Sequence, residues 1–345
     1  MNINKLGRIL IGAIIAFFTV GSLTSCGLIY EDLDPCTVTY RLRFTYDYNM
    51  KYADAFPAEV HSVQVWAYDS EGRHVWSGEA AGDALKDPGY TMTVDLPSGK
   101  YSFLCWGGMK DSPFELAEGA KPASLMSMGV NLPLKSSRAN DGLFSDYEFR
   151  GLFHGYVDEV ELEEAKDRPF DQTVTMPLMK DTKLISVMLQ HVNGKAIGQD
   201  DFTIRIEAQN SKLGWNNTVL DGPQFLYEPW AVSYGLAEMP DGNPGNPVNS
   251  LLAELSTSRI MTDSKTILSV IRNTDNKEII RIPLVQYLLL VKGHYHRDLT
   301  DQEYLDRQDE YSMIFFLTDE NTWYVADGIY INNWVVVPPQ NEEGK

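Results

Sequence analysis

The sequence predicts an all-β fold, two β-sandwiches in tandem, and three observations carry that prediction. In Thr37–Tyr46, the residues Val38, Tyr40, Leu42, Phe44 and Tyr46 alternate with Thr37, Thr39, Arg41, Arg43 and Thr45, the period of two that marks a half-buried strand. Similar short runs recur along the chain between turns rich in Gly, Pro, Asn and Asp, the spacing of a sandwich rather than of a helical or α/β protein. Removal of a 25-residue leader leaves 320 residues, which a prior of ~100–200 residues per domain divides into two, each able to bury its own core.

The leader occupies residues 1–25. Lys5 and Arg8 precede the apolar run Ile9–Phe18, about a dozen residues where a bilayer span needs ~20, so the segment reads as a cleaved signal. It closes on Leu23-Thr24-Ser25-Cys26, a lipobox, and cleavage leaves Cys26 as a lipidated N-terminus. Each buried methylene of an acyl chain such as palmitate contributes ~0.8 kcal/mol, so two or three chains hold a protein to a membrane almost permanently. Residues 26–35 form a tether, acidic at Glu31, Asp32 and Asp34, similar to the surface-export signal of Bacteroides-type lipoproteins.

The first domain is expected over 36–180. Val60–Tyr68 turns at Asp69-Ser70-Glu71-Gly72-Arg73 and returns as His74–Ser77, a hairpin with a glycine-containing loop. Tyr90–Leu96 turns at Pro97-Ser98-Gly99-Lys100 and returns as Tyr101–Trp106. Residues 107–150 show no period and read as a long excursion with about one helical turn; strands resume at Gly151–Val160 and Gln172–Leu178. The second domain, 181–345, opens with the strand Lys183–Gln190, followed by Phe202–Ala208. Met239–Pro247, with three prolines, is a loop. Further strands are expected at Ile260–Thr262, Thr266–Val270, Lys277–Ile282, Ser312–Thr318 and Ile329–Val337, with a short buried helix in Pro283–Val291.

Charge and composition exclude several functions. Losing Lys5 and Arg8 with the leader takes the formal charge from −19 to −21, which argues against nucleic acid and against electrostatic docking to anionic lipid. With Cys26 committed to lipid, Cys36 and Cys105 remain, 69 positions apart in an exported and oxidising setting. Either they form a disulfide, contributing about 4 kcal/mol on the chain-entropy model, or they are two buried thiols. No Cys-x-x-Cys, serine elbow, phosphate loop or His-Glu-x-x-His pattern occurs among the cysteines and His61, His74, His154 and His191. His294 and His296, near Asp298 and Asp301, have a loose metal spacing without a third ligand of equal quality. Glu159, Glu161, Glu163 and Glu164 read as a solvated edge. Asp306-Arg307 and Asp309-Glu310 lack the glycine and ligand spacing of a calcium loop, and Arg307 is expected to pair with a carboxylate and fix a loop. The expectation is a non-catalytic protein without metal or cofactor.

Several motifs together are more specific. Cys26 with Glu31-Asp32-Leu33 and Pro35-Cys36, the opening Asp181-Thr182-Lys183-Leu184, the run Gln302–Tyr311 and the ending Ile329-Tyr330-Ile331-Asn332-Asn333-Trp334 resemble the fimbrillin-associated minor-fimbrium anchor family of type V pili. The resemblance implies two transthyretin-like Greek-key sandwiches on an outer-membrane lipoprotein exposed at the cell surface, which fixes the base of a fimbrium and limits its length. It also implies fimbrial structural subunits as partners, joined by a strand of one chain completing the sheet of another. Ile329, Ile331, Asn333, Trp334, Val335 and Val337 lie in the candidate partner strand, and Pro338-Pro339 stops pairing after it. The same segment also reads as the last core strand of the second domain. The alternative function is a surface glycan-binding lipoprotein, with Trp215, Trp230, Trp323 and Tyr324 as candidate stacking residues.

Overall fold

The computed structural model describes residues 38–117, 120–136, 142–165, 169–198, 200–237, 248–293, 296–326 and 328–336. In chain order the first half contains β1 (Val38–Thr45), a one-turn helix α1 (Phe56–Glu59), β2 (Ser62–Asp69), β3 (His74–Ala81), β4 (Met92–Val94), β5 (Gly99–Gly107), β6 (Glu115–Leu116), β7 (Gly129–Asn131), β8 (Lys135–Ser136), β9 (Leu143–Ser145), β10 (Phe153–Leu162), β11 (Phe170–Pro177) and β12 (Met179–Lys180). The second half contains β13 (Thr182–His191), β14 (Phe202–Ala208), β15 (Lys212–Gly214), β16 (Phe225–Tyr227), β17 (Ala231–Ala237), β18 (Val248–Ser258), β19 (Ile267–Arg272), β20 (Lys277–Pro283), α2 (Leu284–Leu290), α3 (Asp301–Arg307), β21 (Glu310–Leu317), β22 (Ile329–Ile331) and β23 (Trp334–Val336). The chain divides into a small unit, Met1–Thr39 with Glu164–Asp171, and a large one, Tyr40–Glu163 with Gln172–Lys345.

The fold is the expected all-β class, two sandwiches in tandem. The first pairs a three-stranded sheet, β11-β1-β4, with a five-stranded one, β12-β10-β5-β2-β3. The alternation in β1 buries Tyr40, Leu42 and Phe44 and leaves Arg43 exposed. Behind it, β2 and β5 are buried on both faces. Val63, Val65, Ala67, Phe103 and Cys105 serve the first sandwich, while Trp66, Tyr68, Leu104 and Trp106 join a second core cluster with Phe114, Leu125, Met128 and Val130. Those last four belong to the excursion, which lies over the outer face of the sheet and explains why β2 and β5 read as near-continuous apolar runs. The excursion leaves and returns at a glycine pair: a Cβ on Gly108 (φ +79°) would sit 2.0 Å from the Gly151 carbonyl oxygen. Its one helical turn is the 3-10 turn Leu125–Ser127.

The second sandwich consists of two six-stranded sheets, β17-β18-β13-β21-β22-β23 and β20-β19-β14-β16-β9-β8. β13 is central, antiparallel to β18 and parallel to β21. The excursion contributes here too, since β9 runs parallel to β16 and β7 pairs with β15. The expected buried helix is α2, which buries Leu284, Val285 and Leu288.

Three expectations are corrected. Ile260–Thr262 is not a strand; β18 ends at Ser258, and Ile260 is buried as core without pairing. The loop around Arg307 is the helix α3, started by Thr300 as N-cap, whose hydroxyl accepts from the Glu303 N–H. Ile329–Val337 is not one strand but the hairpin β22–β23, because Asn332 and Asn333 take φ of 49° and 67°. Two adjacent left-handed residues are the geometry of a type I′ turn, which Asn tolerates better than branched residues do.

Candidate functional site

A chain of charged side chains connects segments of the two sandwiches. α3 presents Asp306 and the strand entry behind it presents Asp309. Asp306 takes a bidentate pair from Arg259, Nε to Oδ1 at 2.9 Å and an Nη to Oδ2 at 2.8 Å, and also accepts from Gln302 Nε2 at 3.0 Å. Arg259 further donates to the Asn217 carbonyl, and Asn217 Nδ2 donates to Asp181 Oδ1 at 2.8 Å. Lys183, with its side chain 1% exposed, donates to the Asp306 carbonyl at 2.7 Å and to Asp309 Oδ1 at 3.3 Å. From the first sandwich, the Tyr46 hydroxyl donates to Asp309 Oδ2 and Lys180 bridges Glu59 and Asp309 at 2.9 and 3.8 Å. Arg307 pairs with Glu303 as expected, and its guanidinium lies 4.0 Å from the ring centre of Tyr48 and 4.8 Å from that of Tyr52.

Burial shifts these groups strongly. Desolvation pushes Asp181 up to about 7, against the pull of Arg259 and of the Asn217 hydrogen bond, and it lowers Lys183 despite Asp309 and Asp306. Asp181 Oδ2 and Asn217 Oδ1 have no partner. Arg259 with Asp306, and Lys183 and Lys180 with Asp309, are paired in a way that joins the two sandwiches like a rivet.

A different surface lies at the last hairpin. The candidate partner residues divide there. Ile329 and Ile331 are fully buried against β21, Asn333 is in the turn, Trp334 and Val335 are 56% and 54% exposed on the edge strand β23, and Val337 lies outside the described residues. Beside β23 are two adjoining cavities. One of about 420 Å³ is lined by Ser186, Tyr304, Glu310, Asn332 and Trp334; one of about 270 Å³ is lined by Leu290, Val291, Lys292, Val335 and Val336.

The other residues singled out in the sequence do not gather into a site. Cys26, Cys36 and His294 lie outside the described residues. Cys105 is a fully buried free thiol whose pKa burial drives well above the ordinary value. His154 donates its Nε2–H to the Trp215 carbonyl, 2.7 Å away, and His191 donates its Nδ1–H to the Thr318 carbonyl at 2.9 Å. Glu159, Glu161, Glu163 and Glu164 are exposed. Among the described residues no three of His, Cys, Asp and Glu come together as metal ligands. Trp215 packs edge-on against Tyr156 and Trp323 against Phe315, so neither belongs to a flat stacking platform. The larger polar groove, about 630 Å³ and lined by Gln209, Asn210, Asp221, Gln224, Asp263 and Lys265, has no aromatic wall.

A family model described as fimbrillin-A associated anchor proteins Mfa1 and Mfa2 matches residues 33–338. No curated protein matches the sequence. Among solved structures, a candidate adhesin of Bacteroides thetaiotaomicron is 33% identical over 89% of this chain and 100% of its own, with a TM-score of 0.75. A candidate polysaccharide-binding protein of the same organism is 28% identical over 88% of this chain and 99% of its own, with a TM-score of 0.72. The fimbrial anchor protein Mfa2 of Porphyromonas gingivalis has the same fold, with a TM-score of 0.62 at 18% identity over 88% and 99% of the two chains.

Proposed function

Because the chain belongs to the family of fimbrillin-A associated anchor proteins, we propose that it is the lipoprotein that fixes a fimbrium to the outer membrane and limits its length. The family match over residues 33–338 carries this reading, and the lipobox ending at Cys26 stands immediately before it. Lipid on Cys26 holds the protein at the cell surface, and residues 36–180 and 181–345 act as two domains. The charged rivet suits the task, since a base that transmits tension needs two sandwiches that do not hinge.

Contact with fimbrial structural subunits then proceeds by strand addition at β23. Its exposed Trp334 and Val335 and the apolar cavity beside it supply side-chain recognition, while Ile329 and Ile331 stay in the core. The protein needs no cofactor for this and performs no catalysis.

The test is affinity purification of the tagged lipoprotein from detergent-solubilised outer membrane of its host, with mass spectrometry of what accompanies it. Recovery of fimbrillin-like subunits supports the reading; recovery of glycan transporters, or retention on immobilised polysaccharide, favours the glycan-binding alternative. Cys26→Ala is expected to release the protein and its fimbriae into the medium, and unchanged membrane retention would sink the lipid anchor.

A further inference from the structure

Exposed sheet edges invite association, and natural proteins guard them with charge, proline, bulges or short length. Most edges here are guarded. β20 carries Lys277, Glu278 and Arg281, and its pairing with β19 shifts register between Val270 and Ile271. β11 contains Asp171 and ends in Pro177. β3 contains Glu79, and its start is bridged by residues 123–124. β4, β8 and β23 are two or three residues long. β17 has none of these devices. It is seven residues long, pairs with β18 from Ala231 to Ala237 without a register shift, and contains no charge and no proline. Val232 is 47% exposed and Tyr234 38%.

The sequence of β17 indicates what occupies it. Ala231-Val232-Ser233-Tyr234-Gly235-Leu236-Ala237 is a palindrome in residue class about Tyr234. An antiparallel strand pairing with its own copy across a two-fold axis puts Ala231 opposite Ala237, Val232 opposite Leu236, Ser233 opposite Gly235, and Tyr234 opposite itself. Isologous contact demands this self-complementarity, and a foreign partner does not. Charge agrees: on a chain of formal charge −19, a neutral strand is where two copies approach with least repulsion.

We propose that two copies of this chain associate by antiparallel pairing of β17 with β17, with Tyr234 on the two-fold axis. The β17-to-β23 sheets of the two copies become one continuous sheet, with β23 at each outer end. The interface needs nothing from the anchor reading. Burial, then the carboxylates of Asp200 and Asp201, raise the Tyr234 phenol, so each copy brings two acids towards the axis. Association therefore tightens as salt screens them, the opposite of an ion-paired interface.

Cysteine substitution in the full-length lipoprotein, in native membranes under mild oxidation, tests the register. Directly opposed residues have Cβ atoms ~4.5–5.5 Å apart, so Tyr234→Cys is expected to give a covalent dimer well above the parent chain. Val232→Cys is the control, because its copies lie four positions apart in register, ~13 Å along the strand, and cannot bridge. No dimer from Tyr234→Cys, or equal dimer from both variants, overturns the proposal. Sedimentation of the detergent-solubilised chain gives a second reading. V232K/L236K places lysine opposite lysine twice and is expected to weaken association roughly tenfold. A parent chain that is monomeric at every concentration and salt level also overturns it.

Discussion

The seam between the sandwiches and the edges of the six-stranded sheet invert the usual distribution of polarity. At the seam Lys183, Asp306 and Asp181 are buried and Arg259 nearly so; Arg259 pairs with Asp306 and reaches Asp181 through Asn217. At the edges Trp334, Val335, Val232 and Tyr234 remain exposed in water. Buried charge contributes little net stability, since desolvation cancels most of the attraction, but it tolerates only one geometry. Exposed apolar edges contribute nothing to the folded monomer and become favourable only when another chain covers them. On the contacts proposed above, one region fixes shape and the other serves association, so the two should respond oppositely to substitution.

The largest expected effect is at the seam. Asp306→Ala strands Arg259, whose side chain is 12% exposed, without its bidentate partner. The expected loss is ~3–5 kcal/mol in urea unfolding, and the double variant Arg259→Met/Asp306→Leu should recover most of it. A loss below ~1 kcal/mol for the single variant would mean water enters the seam and the rivet is not dry.

Next comes the pH dependence, where two buried groups at the contact of the sandwiches oppose each other. Asp181 binds its proton more tightly folded than unfolded, so its contribution favours the fold at low pH and is lost as pH rises from about 4 to about 7. His154 is the reverse. Burial lowers it to about 4 although the Trp215 carbonyl favours its charged form, so stability falls as pH drops from ~6.5 towards 4, on the order of 3 kcal/mol in all. Asp181→Asn should therefore steepen acid unfolding and His154→Gln should flatten it. Thermal melts of both variants between pH 4 and pH 8 check the signs; parallel profiles would show that neither group titrates on unfolding.

The legibility of these regions differed for physical reasons. Strands with one wet face announced themselves, as in β1 and β14, because alternation is a local signal. β2 and β5 are legible as strands but not as doubly buried ones, since nothing local says that Leu125, Met128 and Val130 cover their second face. The hairpin β22–β23 is hidden although Asn332-Asn333 is a hairpin turn signal, because an unbroken alternation can be drawn straight through it. α3 carries its start signal in the Thr300-x-x-Glu303 spacing, but its seven residues are too few to show a helical period. The seam was illegible in principle: Tyr46, Asp181, Arg259 and Asp306 meet only through the tertiary fold, and each looks like ordinary surface charge or strand residue in the sequence. Cys26, in contrast, needs no fold to be read as a lipobox residue, since Leu23-Thr24-Ser25-Cys26 is contiguous in the sequence.

Arg307 lies between the extremes. It is 14% exposed, and its guanidinium stacks between Tyr48 and Tyr52 while pairing with Glu303. Lysine keeps the charge but not the plane, so Arg307→Lys should cost ~1 kcal/mol and loosen the Asp47–Ala55 segment, which amide exchange would report.

The smallest stability effect should accompany the clearest functional one. Trp334→Ser and Val335→Ser alter side chains more than half exposed, so each should change unfolding free energy by no more than ~0.5 kcal/mol. Truncating Ile331 to Ala, two residues before the turn ends, removes a fully buried side chain and should cost ~2–5 kcal/mol. If β23 serves association, subunit capture from the outer membrane fails in the stable variants Trp334→Ser and Val335→Ser. If the hairpin is only the close of the core, capture persists in both and is lost only with the fold, in Ile331→Ala. That pattern would return the partner surface to another edge of the sandwiches and leave β23 as a lid over its own cavity.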